Sequence, residues 1–326
     1  VLLTTYTMHP SATFHSIELD KIEISDEWSL HPFLSSEPPA TALVESINRV
    51  GILHPPILLR QSTERYKLVC GKSRLESLKT NPGKKSSPCL ILAEDSSPKT
   101  ILSYVVEDQS LSGNFSAMEK AYFFSHCLNY MDGKEAAALF LTIFHQKIQP
   151  HTINKCLDLI KLELDIQINI HNGTIGEKTA HELLKMSPED RRVLHGVFID
   201  LQLGGGKQKR LLSLCKDLAY RKETTLTELL MKPEFDEILT HSEMNQPQKA
   251  TVLLACIQKM LFPQSAYAED LFRKKVTTMN LPTTCKVTHA LSFETDAVSL
   301  IMDFETLTEL EKRLPEILHL AEARKN

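Results

Sequence analysis

The apolar residues of this 326-residue chain change their period twice, and that change limits what it can fold into. Up to about residue 106, strand-like and helix-like stretches alternate. "IELDKIEI" (17–24) alternates apolar and polar residues, the pattern of one half-buried strand. "TALVESINRVG" is a short amphipathic helix stopped by Gly51. "PPILLR", "YKLVCG" and "CLILAE" are β-rich, and "NPGKKSSP" is loop by composition. From about 107 to 280 the helical period takes over. "SAMEKAYFFSHCLNYM" opens with the capping-box pair Ser116 and Glu119, and Pro150 suits the first turn of a later helix. Period two then returns. Val287, His289, Leu291 and Phe293 alternate, as do Val298, Leu300, Met302 and Phe304, predicting a hairpin across "ETD". Leu307, Leu310, Leu314, Ile317 and Ala321 follow at helical spacing, with Pro315 predicting a break or kink, since an interior proline costs about 3 kcal/mol. The pattern predicts an α+β chain with a small α/β domain over 1–106 and an all-α domain over 107–232. A helical linker and a hairpin-plus-helix module fill 233–326.

Composition narrows the class. Hydrophobic residues make up 42% and charged residues 24%, the balance of a soluble globular protein. The formal net charge of −4 gives no global basic field, so a polyanion surface has to be local. Two basic runs qualify: Arg60 to Lys85, and Lys207, Lys209, Arg210, Lys216, Arg221 and Lys222; each also reads as a solvated face. The seven cysteines form no CxxC pair and lie in apolar segments, the pattern of buried thiols in a reducing compartment. The 13 histidines show no HxxxH or HExxH spacing, which argues against a dedicated zinc site. No apolar run approaches a membrane span, and "VLLTTYTMHP" lacks the basic start and long apolar core of a secretory signal.

"VCGKSRLESLK" (69–79) places Gly71 between a strand and a helix, followed at once by Lys72, Ser73 and Arg74. Cations are disfavoured at a helix N-terminus by its partial positive charge unless an anion compensates. A phosphate cradled by the first helical N–H groups would do so. A plain turn with surface cations is the alternative. "LGGGKQKR" lacks P-loop spacing, because Leu201 and Gln208 stand where glycine and Ser or Thr are required. It reads as a flexible helix entry that leaves Lys207, Lys209 and Arg210 available for phosphates.

The order of these pieces resembles a known family. In "SINRVGILHPPILLRQSTERYKLVCGKSRLESLK", Gly51, Pro55, Gly71 and Arg74 follow the pattern of the ParB/sulfiredoxin superfamily N-terminal domain, with His54 in place of a glutamine. The resemblance is strongest to ParB/RepB-like partition proteins, whose box reads Gly-Glu-Arg-Arg-x-x-Ala; Lys72, Ser73 and Ser77 depart from it. The sulfiredoxin branch needs a cysteine after the glycine, where Lys72 stands; Cys70 reads as a small packed residue. "DQSLSGNFSAMEKA" is similar to the third ParB box. Asp108 and Gln109 replace Glu-Asn, Leu111 and Ser112 replace Gln-Arg, and Glu119 and Ala121 are retained. The resemblance implies CTP with Mg2+ as ligands, and Gly71, Lys72, Ser73, Arg74, Asp108 and Gln109 as the nucleotide-binding set. Arginines lost at Ser73 and Ser112 would remove phosphate contacts of roughly 1.5–3 kcal/mol each.

"GKEAAALFLTIFHQKIQPHTINKCLDLIKL" resembles the ParB helix-turn-helix, with Ile153, Leu157 and Ile160 on the inward face of its second helix. Gln149, His151, Thr152, Asn154 and Lys155 fall on or near the other face, the polar set that a recognition helix offers to DNA. "INIHNGTIGEKTAHELLKM" continues the likeness, which spans about 17–222. It implies a cytoplasmic, nucleoid-associated protein in chromosome or plasmid partition or related gene regulation. The implied partners are double-stranded DNA and a ParA-type ATPase, with no membrane. The C-terminal module predicts a homodimer, because its helix seam and strands have little else to cover them. The rival expectation is a nuclease or phosphoryl-transfer enzyme. Glu64, Glu76, Glu107 and Asp108 form no recognisable metal cluster for it, and no catalytic residue or metal ligand is assigned.

Overall fold

The computed structural model describes residues 12–34, 37–110, 113, 115–144, 150–290, 295 and 297–322. The chain forms two compact units, residues 1–196 with 204–208 and residues 197–203 with 209–326. The α+β class stands, with a five-stranded and a two-stranded sheet among the described residues.

In the first unit, β1 (Thr13–Glu18), β2 (Ile22–Glu23), β3 (Ile57–Ser62), β4 (Arg65–Cys70) and β5 (Ser86–Leu92) form a mixed sheet in the order β1-β5-β3-β4-β2. The segment expected to be one strand over 17–24 is two strands, on opposite edges, joined by a 3-10 turn at Leu19–Lys21. Both Ile17 and Ile22 are buried, yet a continuous strand would send residues five apart to opposite faces. The turn resolves that conflict, and it obliges the sheet to curl. Laid flat, its edges would stand about 19 Å apart, beyond the roughly 13 Å reach of the link. Ile17, Ile22, Leu58, Tyr66, Leu68, Leu75, Cys89 and Ile91 fill the concave core.

The helices α1 (Thr41–Val50), α2 (Lys72–Lys79) and α3 (Pro98–Ser110) belong to this sheet region. Gly51 ends α1 at φ +79°, as its place in the sequence predicts. Ile101, Leu102, Val105 and Val106 bury one face of α3, so the expected division at 106/107 falls inside a helix. Next come α4 (Ala117–Leu128), α5 (Gly133–Phe140), α6 (Pro150–Asp158), α7 (Leu164–His171), α8 (Glu177–Leu183), α9 (Pro188–Asp200) and α10 (Gly205–Lys222). The capping box at Ser116 and Glu119 is present. Phe123, Phe124, Phe140 and Phe144 meet edge to face between α4 and α5. The segment 25–34 lies against α4: Trp28 stacks on Tyr130, Phe33 stacks on Tyr122, and His126 Nε2 lies 2.8 Å from the Ser29 carbonyl oxygen.

In the second unit, α11 (Leu226–Leu230), α12 (Pro233–Thr240), α13 (Gln246–Leu261) and α14 (Pro263–Thr278) precede the hairpin β6 (Cys285–His289) and β7 (Val298–Met302). The expected division at 232/233 lies within this unit, at the start of α12. Of the expected hairpin, Leu291, Phe293, Glu294 and Asp296 lie outside the described residues. The final helix, α15 (Leu307–Glu322), runs through Pro315, so the predicted break does not occur. Proline removes one backbone hydrogen bond, which the rest of a sixteen-residue helix can outweigh. The side chains of Ile317 and Ala321 lie outside the described set.

Candidate functional site

Strand β4 ends at Cys70, and the chain must turn at once into α2. Gly71 makes that turn in the left-handed region, at φ +97°. A Cβ there would also stand 2.9 Å from Arg74 Nε, so a side chain would strain the backbone and displace the end of Arg74. No side chain caps α2. Its first-turn N–H groups, which lack intrahelical acceptors, belong to residues lining a cavity of about 510 Å3. That volume lies within the range of small-molecule sites.

The nucleotide-binding set expected from the sequence converges here. Gly71, Lys72, Ser73, Arg74, Asp108 and Gln109 all line the cavity, although the two boxes lie more than thirty residues apart. The fold brings the end of α3 beside the start of α2. Carboxylates compensate both cations: Lys72 Nζ stands 2.9 Å from Asp26 Oδ1, and Arg74 Nη2 stands 2.6 Å from Asp108 Oδ2. Arg74 Nη1 also donates to the His54 carbonyl oxygen at 2.8 Å. The side chains of Arg74 and Asp108 are each only 19% exposed, so Arg74 is not the surface cation that a plain turn would carry. Cys70 forms part of the wall, and burial pushes its thiol well above the usual range. That keeps it protonated, in line with a packed rather than reactive cysteine. Ser112 and Leu111 lie outside the described residues.

The segment 25–34 closes the opposite side through Asp26, Trp28 and His31, and His171 joins from the end of α7. The sequence reading missed these residues, because nothing in their spacing (26, 28, 31, 171) marks them as neighbours. Behind them Gln109 Nε2 donates to Glu119 Oε1 at 2.7 Å, and His31 Nε2 stands 2.6 Å from the same oxygen. Glu119 Oε2 accepts from the Ser116 N–H at 2.6 Å. Burial alone would raise the Glu119 pKa, but the His31 and Ser116 hydrogen bonds outweigh it and hold the carboxyl below the ordinary range. Burial lowers the His171 pKa and favours its neutral ring. His31, Glu119 and His171 offer ligand atoms within 4.8 Å of one another, a metal-capable group that motif spacing could not reveal.

The expected DNA-reading helix is α6. His151, Asn154 and Lys155 are exposed and Thr152 is half-buried, so the polar set faces outward; Gln149 lies outside the described residues. The inward face is shifted from expectation: Ile153, Cys156 and Leu159 are buried, whereas Leu157 and Ile160 are half-buried. Ile153 and Cys156 share a side of α6 as residues three apart in an α-helix do, and the 3-10 turn at Leu159–Lys161 keeps Leu159 in line with Cys156. On α10, Lys207, Lys209 and Arg210 are exposed, with Arg210 Nη2 donating to Gln258 Oε1 at 2.6 Å.

No family model matches the chain, and no curated protein is found similar to it. Solved structures similar to it are ParB proteins. The C-terminally truncated chromosome-partitioning protein ParB from Caulobacter crescentus, complexed with CTP-γ-S, is 16% identical with a TM-score of 0.26. That match covers 54% of this chain and 94% of that one. The same protein complexed to the centromeric parS site is 12% identical, with a TM-score of 0.34 over 61% and 98% of the two chains. A pNOB8-like ParB N-domain is 16% identical, with a TM-score of 0.36 over 74% and 95%. No helix among the described residues is long and apolar enough to cross a membrane.

Proposed function

We propose that this chain is a ParB-like DNA-binding protein of a partition or related regulatory system, whose cavity at the start of α2 takes a nucleoside triphosphate. The observation that carries this reading is the convergence of the two boxes, Gly71–Arg74 and Asp108–Gln109, on one cavity. A glycine turn, the N-terminus of a helix and two cations suit polyphosphate. Ser73 adds a hydroxyl donor where the ParB box has an arginine, so affinity is reduced relative to that pattern. A triphosphate reaching Arg74 must exchange with the Asp108 carboxylate, which makes occupation of the site and the position of α3 depend on each other. The outward polar set on α6 supports a DNA-reading role for that helix. CTP is the nucleotide proposed by resemblance, with Mg2+ on its phosphates; a ParA-type ATPase is the proposed protein partner.

Binding of labelled CTP to the parent and to Arg74→Ala tests the reading. Arg74→Ala is expected to weaken binding at least tenfold. Its removal also strands Asp108, so urea unfolding of both proteins must accompany the titration. Arg74→Lys keeps the charge and loses the forked geometry, and is expected to fall between them. Equal affinity across the three, or no binding by the parent, overturns the nucleotide reading.

A further inference from the structure

We propose that His31, Glu119 and His171 form a binding site for one divalent transition-metal ion on the inner wall of this cavity. The three residues come from the segment before α1, from the first turn of α4 and from the end of α7, and only the fold brings them together. One ligand atom from each lies within 4.8 Å of the other two. Two imidazoles and one carboxylate are the donor set of Zn2+, Co2+ and Ni2+, whereas Mg2+ and Ca2+ prefer oxygen ligands throughout.

The surroundings are those of a supported site. Glu119 is 4% exposed, and its two oxygens are fixed by Gln109 and by the Ser116 N–H. His171 Nδ1 stands 3.0 Å from Ser116 Oγ, and the Phe33 ring packs against its imidazole with centroids 5.1 Å apart. Such outer partners orient ligands and hold them in place. The two histidines line the cavity, which leaves the remaining coordination positions open to water or to an anion held there. In the structure His31 Nε2 stands 2.6 Å from Glu119 Oε1, a hydrogen-bond distance. Donors around a tetrahedral ion with bonds near 2.0–2.1 Å stand about 3.3 Å apart. An ion bound there opens the His31–Glu119 pair by less than about 1 Å and draws the wider pairs, which lie within 4.8 Å, toward the same spacing, with any proton on a ligating atom leaving to solvent. This site does not depend on the identity of the cavity's other occupant.

Titration of the chelator-treated full chain with Co2+, without nucleotide, tests it. One equivalent should bind, with visible absorption bands of a four- or five-coordinate ion; Zn2+ should displace it, and Mg2+ should not. His31→Ala and His171→Ala should each weaken Co2+ binding at least tenfold, while the exposed His241→Ala leaves it unchanged. Zinc X-ray absorption on the parent gives a readout that needs no variant to fold: a first shell of two imidazoles and carboxylate oxygen is expected. No saturable binding at micromolar concentration, unchanged binding by the two histidine variants when folded, or a shell containing sulfur or oxygen alone overturns the proposal.

Discussion

Gly71 carries two demands at once, a left-handed backbone and an empty Cβ position beside Arg74. Gly71→Ala is therefore expected to destabilise the chain by about 1–2 kcal/mol, the cost of forcing an L-residue into that region. A change below about 0.5 kcal/mol in chemical denaturation would show that the turn relaxes freely. Arg74 also has a structural part, because it bonds Asp108 and the His54 carbonyl from a mostly buried position. Glu119 makes the pH behaviour predictable. Its folded pKa is depressed, so its contribution to stability is fully present above the ordinary glutamate value of about 4.3 and is lost as pH falls through the lower folded value. The stability gap between the parent and Glu119→Gln should shrink as pH falls below about 4.3. A gap that persists unchanged to pH 3 would contradict this assignment.

At the scale of elements, α6 was recognisable from its apolar spacing, yet its buried line runs through Ile153, Cys156 and Leu159 rather than Leu157 and Ile160, the 3-10 turn that ends it keeping Leu159 in line with Cys156. His151, Asn154 and Lys155 are exposed. If α6 reads DNA, Lys155→Ala should weaken binding to all sequences and flatten the salt dependence, as loss of a phosphate contact does. Asn154→Ala should instead relax specificity at one base pair by about 1–3 kcal/mol. Measurements on random and selected duplexes at several salt concentrations separate the two. If both variants bind like the parent, the DNA surface lies on α10 rather than α6.

At the scale of the whole molecule, the C-terminal module leaves apolar surface uncovered. Val298 is 63% exposed and Leu307 71%, with Leu300, Ile301 and Leu314 also exposed. A two-stranded hairpin is marginal alone in water, and here β6 is tied to α14 by His289, whose ring packs on Phe272 and reaches Glu269 Oε2 at 2.7 Å. A second copy of the module would cover the remaining apolar residues, so a homodimer is expected in solution. Truncation before Thr284 should yield a folded monomer by analytical ultracentrifugation and weaken binding to palindromic DNA, whose half-sites would no longer be tethered. A monomeric full chain at micromolar concentration, or a truncated chain that still dimerises, would refute it.

The sequence by itself determined the local structure. Period, caps and breakers placed the helix ending at Gly51, the β-rich runs of β3 and β4, the capping box at Ser116 and the glycine turn before α2, because each depends on neighbours within a few positions. The resemblance also grouped Gly71–Arg74 with Asp108–Gln109, residues that line one cavity. The tertiary structure alone decided how Ile17 and Ile22 could share a core, since that needed a curled sheet with the two strands on opposite edges. It alone decided that Asp26 and Asp108 neutralise the cations of α2, and that His31, Glu119 and His171 meet. Those residues lie 46, 34, 88 and 52 positions from their partners along the chain. Contacts of that kind follow from how helices and sheet pack, and no period or spacing in the chain encodes them.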